Sequence, residues 1–227
     1  CNLADVEVLL EAVQSCGEAL DEQDFLTACA TCTPALVQLL LNHGAPLSPV
    51  ALHVVFKRCF RTANEAIECA QLLLRAQAQL DGLGSCCATP LSVACAGVCA
   101  GINTKGKVLR WLLEERADPD GAGGRLPPLH ALLGGCFPRV PEVRFLVESR
   151  ASVNKREPVY GCAPLHVALS ARCNTKLAME LAALGADPSI ADDEGLRPAQ
   201  LLIRHGELQA AADLERRAMN EEEVTMQ

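Results

Sequence analysis

The same short pattern returns five times along the 227 residues. Val108-Leu-Arg-Trp-Leu-Leu-Glu-Glu-Arg-Ala-Asp-Pro119 is echoed by Val143-Arg-Phe-Leu-Val-Glu-Ser-Arg-Ala-Ser-Val-Asn154 and by Ala178-Met-Glu-Leu-Ala-Ala-Leu-Gly-Ala-Asp-Pro188. Upstream it reads Cys69-Ala-Gln-Leu-Leu-Leu-Arg-Ala-Gln-Ala78 and Val37-Gln-Leu-Leu-Leu-Asn-His-Gly-Ala45. The alanine that closes each copy stands at 45, 78, 117, 151 and 186, at intervals of 33, 39, 34 and 35. A fixed period of this length constrains the fold more than any single motif does. Each copy is one supersecondary unit that cannot bury its apolar face alone, so neighbours must stack.

A second marker runs in the same phase: Thr89-Pro-Leu-Ser-Val-Ala94, Pro127-Pro-Leu-His-Ala-Leu132, Ala163-Pro-Leu-His-Val-Ala168 and Arg197-Pro-Ala-Gln-Leu-Leu202. Ala51-Leu-His-Val-Val55 is a weaker copy. Proline at the first helical position presets φ and needs no amide partner, so each copy predicts a helix start. Thr89 can also cap its helix through its hydroxyl, which Pro127, Ala163 and Arg197 cannot do. Two short helices per period, then a turn, follow from these markers.

With Thr89-Pro90-Leu91 and Ala94, Pro164-Leu165-His166 and Ala168, and the closing Gly185-Ala186-Asp187, the chain resembles the ankyrin-repeat family. That family's unit of about 33 residues carries a Thr-Pro-Leu-His-x-Ala signature. The resemblance covers nearly the whole chain. It implies an all-α fold, an ankyrin-repeat solenoid of stacked helix–turn–helix units with short inter-unit turns. One elongated domain over 1–227 is expected, with a partial N-terminal unit at 1–21. Repeats follow at 22–47, 48–86, 87–124, 125–159 and 160–193, then a capping repeat at 194–219 and an acidic tail at 220–227. Two units depart from the period. The second adds about six residues around Arg61-Thr62-Ala63-Asn64 and the third as many around Gly101 to Gly106, between their two helices.

Composition agrees with close stacking. Half of the residues are hydrophobic but only 3% aromatic, so Leu, Ala, Val and Cys must fill the core. Small residues such as Ala28, Ala94 and Ala168 let short helices approach. Trp111 shares a register with Leu39, Leu72 and Phe145 and is expected in the core. The net charge of −8 argues against nucleic-acid binding, which needs a positive field. Residues 1–56 carry seven acidic side chains and no Lys or Arg, a field suited to keeping an end of the fold soluble or steering a basic partner. The longest uncharged, weakly polar run, Val93 to Ile102, is ten residues, half of what a membrane span needs (about 20), so no membrane insertion is expected.

Thirteen cysteines, an odd number at irregular spacing, make a poor disulfide framework. As small buried hydrophobes they fit a reducing compartment, cytoplasmic or nuclear. Cys29-Ala-Thr-Cys32 has the spacing of a redox or zinc site, but no second Cys or His pair at a matching interval completes four ligands. Cys86, Cys87, Cys95 and Cys99 lie close in sequence and are minor candidates for metal or palmitate. His53, His130 and His166 hold one place in three units, and the repetition argues for structure over catalysis. The resemblance implies that this histidine bonds adjoining turns. It also makes Asn154 a candidate for hydroxylation, although Ser152 stands where an acidic residue precedes the modified Asn. The glycines of 120–124 follow a helix and precede no Gly-Lys-Thr/Ser, so they read as a turn.

No catalytic residue, metal or cofactor is nominated. The resemblance implies a scaffold that binds another protein on a concave face of first helices and turns, as a monomeric domain within a longer chain. Candidate contact residues are Lys155, Arg156, Glu157 and Tyr160 in the fourth unit's turn, with Tyr and Arg the types enriched at hot spots. A second set is Lys57, Arg58, Phe60 and Arg61, at the end of the second unit's first helix. The alternative is a regulatory or substrate-adaptor arm of a larger enzyme (kinase, acyltransferase, ubiquitin ligase) or channel.

Overall fold

The structure, a computed structural model, describes residues 20–31, 33–57, 62–84, 87–97, 102–135, 138–170 and 174–225. Among them are twelve helices and no strand: α1 (Glu22–Thr31), α2 (Pro34–Asn42), α3 (Ala51–Lys57), α4 (Ala63–Arg75), α5 (Pro90–Ala96), α6 (Ile102–Glu114), α7 (Pro128–Gly134), α8 (Val140–Glu148), α9 (Pro164–Ser170), α10 (Thr175–Ala183), α11 (Pro198–Arg204) and α12 (Leu208–Thr225). The chain divides into two compact units, Cys1–Ala117 and Asp118–Gln227. In the first, α1, α3 and α5 pack in one row, α2, α4 and α6 in a second, and each first helix packs on the helix that follows it. The second unit repeats this with α7, α9 and α11 against α8, α10 and α12.

Four of the six first helices, α5, α7, α9 and α11, begin at proline, and small residues line them. Six of the twelve helices carry Pro at their first or second position: α2, α5, α7, α8, α9 and α11. In α5 the Thr89 hydroxyl accepts the Ser92 amide at 3.3 Å, which satisfies one of the helix's unpaired donors. Leu91, Ala94 and Cys95 are buried there, as Leu165, Ala168 and Leu169 are in α9. Each fully buried leucine contributes about 1.5–3 kcal/mol by leaving water. Phe56 and Trp111 meet with ring centroids 6.4 Å apart, so the single tryptophan belongs to the core.

The recurring alanine closes each second helix. After α2, the Ala45 amide donates to the Leu40 carbonyl and the Gly44 amide to Leu41, the paired bonds of a Schellman cap. The same two bonds recur at Ala78 and Gln77, Ala117 and Arg116, Ala151 and Arg150, and Ala186 and Gly185. The cap needs a left-handed residue just before the alanine. Gly44 and Gly185 adopt it freely, while Gln77, Arg116 and Arg150 are held there with φ of 71°, 71° and 73°.

The two long units resolve into helix. α4 and α6 have 13 residues each, against nine in α2, α8 and α10, so part of each insertion is one extra turn at the helix start. Thr62 caps α4 by accepting the Glu65 amide at 3.2 Å. Ala63 and Asn64, expected in a connecting loop, are therefore the first residues of that helix. At the far end α12 runs on to Thr225, through the acidic residues that the sequence sets apart as a tail.

Candidate functional site

Histidine stitches one helix start to the next turn. Nε2–H of His53 donates to the Ala88 carbonyl at 2.9 Å, that of His130 to Cys162 at 2.8 Å and that of His166 to Leu196 at 2.9 Å. A carbonyl only accepts, so the proton is on Nε2 and Nδ1 must act as acceptor. In His166, Nδ1 takes the Ala163 amide, three residues back, at 3.1 Å. The equivalent residue before His130 is Pro127, which has no amide hydrogen. Before His53 it is Val50, whose amide goes to the Ser48 hydroxyl at 3.3 Å. Nδ1 of His53 and of His130 is accordingly buried without a partner. Burial holds both imidazoles below their usual pKa of 6.5, against the opposing pull of their carbonyl acceptors. For His130 the Glu157 carboxylate also opposes the shift, and Lys155 and His166 reinforce it.

A second ladder links turns within the second unit. The Ser152 amide donates to Asp120 Oδ1 at 2.7 Å, and the Asp187 amide to Asn154 Oδ1 at 2.8 Å. Asn154 Nδ2 also donates to the Gly185 carbonyl at 3.1 Å, so the side chain flagged for hydroxylation is engaged at both ends.

These ladders hold the fourth turn, residues 155–162, and its organising group is Glu157. The side chain is buried, and its carboxylate accepts three amides: Val159 at 2.7 Å, Tyr160 at 2.7 Å and Cys162 at 3.2 Å. Its own amide donates to the Cys162 carbonyl at 2.9 Å, and its carbonyl accepts from Gly161 at 3.1 Å. Gly161 has φ of 65°, and a Cβ there would collide with the Arg156 guanidinium and the Asp193 carboxylate. Arg156 closes the other side, donating through Nε to the Gly161 carbonyl at 2.7 Å and through Nη2 to Asp193 Oδ1 at 2.5 Å. The Lys155 ammonium donates to the Asp120 carbonyl at 2.8 Å.

Of the four residues nominated in this turn, three are thus engaged in its architecture; Arg156 is exposed as well as paired, and Tyr160 stands 71% exposed. Beside it stands Val159, 52% exposed, which the sequence does not single out. Its signal is its neighbourhood: a β-branched residue next to the single Tyr, after a proline, in a turn. In the other nominated set Lys57 is exposed at the end of α3, while Arg58, Phe60 and Arg61 lie outside the described residues.

The next turn brings acid to the tip. The Asp193 amide donates to the Tyr160 carbonyl at 3.0 Å, which fixes Asp192-Asp193-Glu194 alongside. Asp192 Oδ1 accepts the Glu194 amide at 3.0 Å and the Leu196 amide at 2.9 Å, the role Glu157 has one period earlier. Burial first, then the carboxylates of Asp192, Glu157, Asp193 and Glu194, push the Cys162 thiol above its ordinary range and make it a weak nucleophile.

Cys29 and Cys95 are buried in the core, and Cys87 is half-buried, while Cys32, Cys86 and Cys99 lie outside the described residues. Among the described residues no group of three or more His, Cys, Asp or Glu side chains converges as a metal site does, and no helix is long and apolar enough to cross a membrane. No protein-family model matches the chain, and a search of curated proteins finds no match.

Proposed function

We propose that the chain is an ankyrin-type protein-binding scaffold that engages a partner protein through its inter-unit turns, foremost the turn of residues 155–162. The period of the sequence, the stacked helix pairs within each unit, the repeated alanine caps and the histidine stitches all support the family reading. One observation carries the functional reading. Tyr160 and Val159 stand in water on a turn whose backbone is fixed by Glu157, Arg156 and the histidine ladder. A rigid turn that exposes an aromatic residue loses little conformational freedom on binding, and tyrosine is among the residue types that anchor interfaces. Thiols packed in the core, as at Cys29 and Cys95, fit a scaffold that works in a reducing compartment.

The test places a photo-crosslinking amino acid at position 160 and asks for competition. Unlabelled chain should suppress the crosslinked partner band, and the Val159→Ala/Tyr160→Ala double variant should not. Equal suppression by both competitors would sink this surface.

A further inference from the structure

We propose that the Val159–Tyr160 tip docks an extended, Lys/Arg-containing segment of a partner protein, with Asp193 and Glu194 meeting its cations. The inference rests on the binding role just described and names the chemistry of the partner. The tip offers two kinds of surface side by side. The tyrosine ring and the valine are apolar and exposed, and the backbone bond from Asp193 to Tyr160 sets a run of three carboxylates along one edge. Asp193 and Glu194 are themselves exposed.

The local cations cancel only part of this acid, leaving Glu194 and the second oxygen of Asp193 to meet a partner. Arg156 spends its guanidinium on the Gly161 carbonyl and on one oxygen of Asp193, and Lys155 turns its ammonium to Asp120. Residues 155–160 and 192–194 together hold two basic and four acidic side chains. An arginine or lysine laid over Tyr160 gains a cation–π contact with the ring, and its apolar neighbour covers Val159. The local excess of acid around the tip favours such a segment over an acidic one.

The probe is a fluorescein-labelled peptide of about 12 residues that alternates arginine and leucine, compared with a twin carrying glutamate for arginine. Anisotropy titrations on the full chain read the affinity. The arginine peptide should bind at least about tenfold tighter than its twin and weaken as salt rises. Tyr160→Ala should weaken binding about fivefold or more, while Tyr160→Phe, which keeps the ring, stays near wild type. Glu194→Gln should cost about two- to fivefold. Glu115→Gln removes the same charge in the other unit and should change nothing measurable. If the twin binds as well as the arginine peptide, or Glu115→Gln weakens binding as much as Glu194→Gln, the proposal is overturned. A crosslink at position 160 that survives that outcome would leave the binding role standing with a partner of different chemistry.

Discussion

Replacing Glu157 with glutamine tests whether the tip is built as described. The substitution keeps shape and volume and changes one carboxylate oxygen into an amide nitrogen. In the native turn Oε2 faces the Val159 amide at 2.7 Å, while Oε1 faces the Tyr160 and Cys162 amides. Glutamine can keep its one oxygen on the latter pair, at the cost of setting its NH2 against the Val159 N–H, donor to donor. The alternative orientation loses two bonds instead of one. A hydrogen bond to a charged group contributes about 1.5–3 kcal/mol net, and the remaining two weaken when the acceptor becomes neutral. The expected loss is therefore about 2–3 kcal/mol, taken from the second unit. Stacked repeats need not unfold in one step, so a global midpoint alone can blur the effect. Amide exchange at Val159, Tyr160 and Cys162 reads it locally, and a loss of 2.7 kcal/mol accelerates exchange about a hundredfold. Urea denaturation followed by circular dichroism gives the global value. A loss below about 0.5 kcal/mol with unchanged exchange at those amides would refute the account of Glu157 and remove the rigidity on which the docking argument depends.

The structure makes four further predictions. Because the folded pKa of His53 and of His130 lies below the unfolded value of 6.5, the unfolded chain takes up more protons, so stability is complete above that pH and falls as pH drops through it. The limiting slope is about 1.4 kcal/mol per pH unit for each histidine, checked by urea titrations between pH 7.5 and 5 (roughly), and a flat profile would contradict the buried neutral ring. Pro127→Ala restores an amide that Nδ1 of His130 can accept, so the NMR titration of that ring should move still lower while His53 stays put. Replacing Gln77, Arg116 and Arg150 by glycine relieves left-handed strain of about 1–2 kcal/mol per site, less glycine's extra chain entropy, for a net gain of about 0.5–1 kcal/mol each. Alanine at the same sites should give no gain, and equal effects of the two would argue against the strain. Gly161→Ala forces a side chain into the Arg156–Asp193 pair at positive φ and should cost about 2 kcal/mol, read by the same denaturation assay.

Much of the helical order is legible because the signals are local. Pro90, Pro128, Pro164 and Pro198 mark helix starts by the geometry of their own rings, and the closing alanines mark second-helix ends by their period. Trp111 is placed in the core by its register with leucines. The insertions are misjudged because a loop and an extra helical turn cost similar residues. Only the cap at Thr62 shows that Ala63 begins a helix. The candidate site is legible as a place and less so in its parts. A charged residue reads as surface, yet Glu157 is buried because three amides of a tight turn converge on it. The signal lies in Asp192, 35 residues on, which binds the amides of its own turn in the same way. The orphaned nitrogens of His53 and His130 depend on what stands three residues earlier, a proline in one case and a diverted amide in the other.

The histidine stitches also set how the second unit yields to force. Each stitch joins one helix start only to the following turn, over 32 residues for His130 and 30 for His166, so no bond in this ladder spans more than one period. A pull at the chain's end therefore loads one stitch at a time. The unit should give way in steps, each freeing about 35 residues, which lengthen by roughly 12 nm at about 3.5 Å per extended residue. A tether drawn through this protein would lengthen by increments under tension rather than part at once.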